Sequence, residues 1–280
     1  MQKGKDNATV KIQEDNKDKL IHLQKKKRGR EEEISSSRQF TIIERLISMK
    51  NLTILSANLD FMGARNNYKR SCEKITNFLV SNNPTFIALQ EIGTCSKNDM
   101  LQDKDLLEEL ELHGYKVIPH RNSKNPVNSR LFYKNSEITF IKKLPLLYTE
   151  FKNRQSGGLF RVNNQTIAIY SLHFPLYERY PHEKKEMWDN SIQFASQAGK
   201  WYDHVILAGD MNESLINRTT LSDKIIEMEK YMVNASLELP TWKTRKLDHI
   251  FITPNTKIEN YSTLDNQFSD HKALQLTFSI

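Results

Sequence analysis

The sequence predicts an α/β protein of packed sheets with helices on their outer faces. Three observations carry that expectation. From residue 51 onward short apolar runs alternate with amphipathic stretches, between residues 115 and 172 apolar runs follow one another across short loops, and after that the alternation returns. The span 51–280 is long enough for one domain with a well-buried core.

The elements follow in order. Leu52 to Asn58 is an apolar run of strand length, and Tyr68, Cys72, Ile75 and Leu79 share one face of a helix that stops near Asn82-Asn83-Pro84. Phe86 to Gln90 is the next buried strand. Asp105 to Leu112 has helical spacing, and Gly114 stands where a helix C-terminus favours glycine. The strand run comprises Tyr115 to Ile118, Arg130 to Tyr133, Ile138 to Ile141, Leu159 to Val162 and Thr166 to Leu172. Trp188, Ile192, Ala195 and Ala198 mark a further helix, and Val205 to Gly209 a central strand. Leu247 to Ile252 and Ala273 to Phe278 are expected to be the final two strands. No internal repeat is visible.

The chain carries a net charge of +7. Residues 1–50 hold 13 Lys/Arg against 8 Asp/Glu, which leaves only +2 for the rest, so global charge says little about what the folded part binds. Residues 1–39 read as a charged, disordered tail, and 40–280 as a single catalytic domain whose first stretch (Phe40, Ile42, Ile43, Leu46, Ile47) has the spacing of a docking helix. The cluster Lys25-Lys26-Lys27-Arg28-Gly29-Arg30 is a candidate nuclear-import signal or phosphate-backbone contact, and equally an ordinary tail feature. No apolar run reaches the roughly 20 residues that cross a bilayer, and the N-terminus lacks the apolar stretch of a secretory signal. Cys72 and Cys95 are too few for a disulfide scaffold. The expectation is an intracellular protein, nuclear or cytoplasmic, and monomeric.

Polar residues fall at the ends of the apolar runs. Asn58 ends the first, Glu91 the second, His173 the Thr166 run, and Asp210 with Asn212 the Val205 run; Asp248 and the pair Asp270-His271 come later. Taken singly, an Asp after a strand is ordinarily a turn former. Together, such residues meet at one edge of a sheet, where α/β proteins place their sites.

Leu89-Gln90-Glu91-Ile92, Ser171-Leu172-His173, Gly209-Asp210-Met211-Asn212, Lys246-Leu247-Asp248-His249-Ile250 and Ser269-Asp270-His271 resemble, in order, the motifs of the endonuclease/exonuclease/phosphatase superfamily. The resemblance covers residues 51–280. It implies a DNase I-like fold, a four-layer α/β sandwich of two packed mixed β-sheets flanked by helices, and divalent-metal-dependent hydrolysis of a phosphoester. It implies that Glu91 binds Mg²⁺, with Mn²⁺ as a substitute, and that Asn58 and Asp270 support the metal shell. By the same resemblance Asp210 orients or deprotonates the attacking water, with Asn212 beside it on a phosphate oxygen. His173 and His271 contact non-bridging oxygens, and Asp248 holds the His271 tautomer. Two residues apart on an extended segment, Asp210 and Asn212 are expected to point the same way. His249 stands where relatives have tyrosine or arginine, and a structural role in the strand is expected for it. The superfamily nucleases also use a mid-chain Tyr or Arg on phosphate; Arg130, Arg154 and Arg161 are the candidates, and no motif chooses among them.

The residues narrow the substrate only partly. Asn212 is followed by Glu213-Ser214 rather than the Asn-aromatic-Arg of the inositol 5-phosphatases, although Pro240-Thr241-Trp242 resembles their Pro-Xaa-Trp. Loops 92–104, 120–130, 150–158 and 174–184 are expected to border the site with Lys97, Arg121, Lys124, Arg154, Tyr177, Arg179 and Tyr180. That mixture suits a nucleic-acid strand, whose phosphates take cations and whose bases stack. The expectation is a nuclease or phosphodiesterase acting on DNA or RNA ends or 5′-adducts. The alternatives are an inositol-phosphate or phospholipid phosphoesterase, and a non-catalytic binding module that keeps the fold.

Overall fold

The computed structural model describes residues 50–60, 72–93, 103–119, 127–236 and 238–280. The expected tail, the docking stretch before Lys50, and Tyr68, Cys95, Lys97, Arg121 and Lys124 lie outside the described residues. Two six-stranded mixed sheets pack face to face. The first contains β1 (Asn51–Asn58), β2 (Phe86–Gly93), β3 (Tyr115–Val117), β4 (Val127–Lys134), β11 (Lys257–Leu264) and β12 (Ala273–Ser279), in the order β11-β12-β1-β2-β4-β3. The second contains β5 (Thr139–Lys143), β6 (Gln155–Val162), β7 (Gln165–His173), β8 (His204–Asp210), β9 (Val233–Asn234) and β10 (Asp248–Ile252), in the order β5-β6-β7-β8-β10-β9.

Strand alternation divides the apolar residues between two faces. Leu52, Ile54, Phe86, Ala88, Ile167, Ile169, Ile206, Ala208, Ile250 and Ile252 meet between the sheets. Their odd-numbered or even-numbered neighbours turn outward. Leu55, Ala57, Ile87 and Leu89 pack under α1 (Cys72–Ser81) and α2 (Asp103–Leu112), whose Ile75, Leu79, Leu106 and Leu110 they touch. Ala168, Tyr170, Val205 and Leu207 pack under α3 (Pro181–Ala198) and α4 (Asp223–Met228) through Trp188, Ile192, Ile225 and Met228. This is the four-layer sandwich. Gly114 (φ +82°) follows α2 in the left-handed region, where an L side chain is costly.

Alternation also aims the site. Carried forward from the inter-sheet positions, four residues from Ile54 and Ile169 and two from Ala208, it turns Asn58, His173 and Asp210 inward, and carried back two from Ile250 it does the same for Asp248. His173 pairs with Asp210 across β7 and β8, and Asp210 with Asp248 across β8 and β10. The three therefore form one lateral row at the edge of the second sheet. Asn58 faces that row from the first sheet.

Three features depart from the sequence reading. β2 does not end before Glu91: the ladder to β4 shifts register between Leu89 and Ile92, and Glu91 has φ +53°. This bulge puts Gln90 and Glu91 both on the inner side, and Ile92 returns to the outer core. β11 lies between the two strands expected to be last. It escapes an apolar-run reading because it is an edge strand, exposed or half-buried along its whole length. The short α4 and β9 carry too few residues for a periodic signal.

Gly209 precedes Asp210 with φ +147°, and a Cβ built there would lie 1.9 Å from the Leu172 carbonyl oxygen. Gly209→Ala should lower unfolding free energy by about 3 kcal/mol, read from urea denaturation. A change within about 0.5 kcal/mol, as for an ordinary surface substitution, would contradict that close approach.

Candidate active site

Asp210 is 2% exposed, which for a carboxylate demands donors. Its Oδ2 accepts from Asn58 Nδ2 at 3.0 Å and Asn212 Nδ2 at 3.2 Å, and its Oδ1 from the Asn212 backbone N–H at 2.9 Å. Hydrogen bonds to a charged acceptor contribute about 1.5–3 kcal/mol each, so three of them offset much of the burial cost. Asn212 reaches Asp210 by a turn, since its φ is +52°; the extended spacing expected from sequence is not what brings the two together. Its amide also donates to the Phe174 carbonyl at 2.8 Å. Burial, together with the charges of Asp248 and Glu91, outweighs the nearby His271 and raises Asp210 to about 7.

His271 donates Nδ1–H to Asp248 Oδ2 at 2.8 Å. Burial alone would depress its pKa, but the Asp248 charge and hydrogen bond, helped by Asp210 and Asp270, raise it to about 10. It is an imidazolium at neutral pH with Nε2 3.9 Å from Asp270 Oδ1. His173 is the opposite case. Burial, then the charges of Arg154 and His271, hold it well below the ordinary histidine value, so it is neutral. Its Nε2 lies 3.5 Å from Glu91 Oε1, 3.7 Å from Asp210 Oδ2 and 3.4 Å from an Arg154 terminal nitrogen.

Of the three arginines, Arg154 is the one that lies in the cleft. It lines the same cleft of about 550 Å³ as Glu91, His173, Asp210 and His271. Its guanidinium lies over the Phe151 ring, 5.3 Å from the centroid, and Phe151 in turn meets Tyr180 edge-on. Arg161 is an exposed residue of β6, and Arg130 is buried in β4. Tyr177, Arg179 and Tyr180 line the cleft as the loop reading expected.

The remaining expected residues are placed as follows. Asn58 also accepts the Asp60 N–H through Oδ1 at 2.8 Å, and Asp270 Oδ2 accepts from Trp242 Nε1 at 2.6 Å. His249 is 1% exposed and bonds the Glu213 carbonyl, a structural position. Sequence reading missed the buried pair Lys184–Glu213, 2.5 Å apart. Lys184 also donates to the Asn212 carbonyl at 2.7 Å, so the ammonium pins the turn that orients Asp210. Only the register of α3 against that turn reveals it.

Side chains of Glu91, His173 and Asp210 each offer a ligand atom within 4.8 Å of the others, as do Asp210, Asp248 and His271. The first set offers two carboxylates and an imidazole, a donor set that can hold a metal ion and does not by itself choose which. Asp248 and His271 are already committed to each other. Among the described residues no helix is long and apolar enough to cross a membrane.

No family model and no curated protein sequence matches the chain. Solved structures do. An endonuclease/exonuclease/phosphatase from Bacteroides vulgatus is 14% identical, with TM-score 0.61, over 82% of this chain and 98% of that one. D. rerio TDP2 complexed with a single-strand DNA product gives 14% identity and 0.61 over 82% and 99%. The mannosyl-6-phosphatase Bt3783 of Bacteroides thetaiotaomicron gives 14% and 0.61 over 81% and 99%. The chain has the DNase I-like fold of the endonuclease/exonuclease/phosphatase superfamily.

Proposed function

We propose that this protein is a metal-dependent phosphoester hydrolase that acts on nucleic-acid strands. The observation that carries the reading is the row His173–Asp210–Asp248 with His271 hydrogen-bonded to Asp248, which gathers a buried carboxylate and two imidazoles at one cleft. Water attack on a phosphoester needs a base near neutrality and a positive charge on the phosphate oxygens. Asp210, held by Asn58 and Asn212, orients the water and takes its proton. His271 donates Nε2–H to a non-bridging oxygen while Asp248 keeps the other ring nitrogen protonated. Neutral His173 and the Arg154 guanidinium complete the phosphate's surroundings. A divalent ion held by Glu91, with Asn58 and Asp270 in its shell, would supply Lewis-acid charge to the phosphate.

The nucleic-acid assignment is supported by the rim, where Tyr177, Arg179 and Tyr180 offer rings and a cation, and by the single-strand DNA product bound to one structural neighbour. A panel of single-stranded DNA, abasic duplex, poly(A) RNA, a 5′-tyrosyl oligonucleotide, an inositol bisphosphate lipid, sphingomyelin and a sugar monophosphate, each with Mg²⁺ and with EDTA, tests it. Cleavage of a nucleic acid with Mg²⁺ or Mn²⁺, weaker with Ca²⁺ and none with EDTA, is expected. Preference for a lipid or sugar phosphate would overturn the substrate class, and full activity in EDTA the metal.

Asp210→Asn and His271→Ala should each lower kcat by about two to four orders of magnitude with little change in substrate affinity. Glu91→Gln should lose metal affinity and recover in part at high Mg²⁺. Near-wild-type turnover in either of the first two would remove that residue's role.

Turnover should depend on pH with two limbs. Asp210 works as the ionised base, so activity is lost as pH falls through about 7; His271 works as the cation, so activity is lost as pH rises through about 10. Metal binding beside Asp210 moves the acid limb lower. A profile that climbs steadily above pH 10 would contradict the imidazolium role.

A further inference from the structure

Among the described residues eight non-glycine residues have positive φ, and five are Asn or Asp, which tolerate it. The other three surround the cleft. Glu91 lines it, Phe151 packs against Arg154, and Lys243 (φ +49°) sits in the turn between Trp242 and Arg245, two residues that themselves line the cleft. Glycine or asparagine would fit that turn at lower conformational cost.

The turn is rigid. Thr241 and Trp242 N–H both donate to the Arg245 carbonyl at 2.9 Å, and Arg245 N–H returns a bond to Trp242 at 2.8 Å. Asn217 Nδ2 holds the Thr244 carbonyl at 3.0 Å, and Lys272 N–H bonds the Thr241 carbonyl at 2.8 Å. The Lys243 ammonium lies 4.1 Å from the centroid of the Trp242 ring. Lys243 and Arg245 are exposed, and among the described residues no carboxylate pairs with either.

We propose that this hairpin is a second phosphate-binding subsite, which holds a phosphate of the same nucleic-acid strand away from the scissile bond. The proposal rests on the strand reading of the substrate given above. Two cations carried on a hydrogen-bonded turn at the rim, one of them resting on the Trp242 ring, lose less freedom on taking a phosphate than cations on a loose loop, and a small ester with a single phosphate offers them nothing.

The test uses the variant Lys243→Gly with Arg245→Gln in the full chain, since glycine suits φ +49° and should leave the melting temperature unlowered. Binding of a fluorescent 12-nucleotide single strand is read by anisotropy in EDTA over a salt series, and hydrolysis of bis(p-nitrophenyl) phosphate is read with Mg²⁺. The variant should bind the strand about tenfold more weakly at 0.1 M salt, with the slope of log affinity against log salt smaller by about 0.7, the contribution of one single-strand phosphate. Its loss on the small diester should be at least fivefold smaller. Unchanged binding and slope would overturn the subsite, as would an equal loss on the small diester. Because binding is read without turnover, a chain that binds as expected yet hydrolyses neither substrate retires the hydrolase reading and upholds the subsite.

Discussion

The site depends on holding one buried carboxylate, that of Asp210, oriented at the seam between two sheets. Neither sheet alone supplies what that needs. β8 delivers the side chain, the first sheet contributes the Asn58 amide, and the turn after β8 contributes both donors of Asn212. Those three bonds explain why the strands must meet in register at this edge: a slip of one residue would turn Asn58 or Asp210 into the outer apolar layers.

Around that carboxylate the charges are arranged to separate two histidines of the same residue type. His271 has Asp248 on one ring nitrogen with Asp210 and Asp270 nearby, and their charges favour its cationic form. His173 shares the cleft but faces the Arg154 guanidinium, and burial with that charge keeps it neutral. Groups whose neighbours push their pKa values apart are the usual sign of divided acid and base roles. The local backbone is strained where it serves this arrangement. Glu91 sits in a bulge at positive φ, Gly209 has its chain pressed against the Leu172 carbonyl, and the Asn212 turn is fastened from beneath by Lys184, itself neutralised by the buried Glu213.

Much of this is legible in the sequence. Buried strands read as apolar runs because both of their faces are covered, and polar residues closing those runs had to gather at one edge. Strand boundaries were short by a few residues wherever a ladder continued into polar sequence, as in β4 and β6. β11 was illegible because an exposed edge strand needs no apolar pattern. The bulge at Glu91 was illegible because no glycine marks it, and the choice of Arg154 over Arg130 and Arg161 because it depends on how β6 sits against β7. The neutral state of His173 follows from burial and from a guanidinium nineteen positions earlier in the chain, which spacing does not display.

The central claim is that Asp210 activates water for direct attack on phosphorus. A dinucleoside phosphorothioate of single configuration, cleaved in ¹⁸O-water by the Mg²⁺-loaded protein, measures this directly. In-line attack by one water predicts a product of inverted configuration with the label on phosphorus. Net retention would mean that a protein side chain attacks first, and label on the leaving alcohol would mean that phosphorus is not the centre attacked; either result would contradict the role given to Asp210.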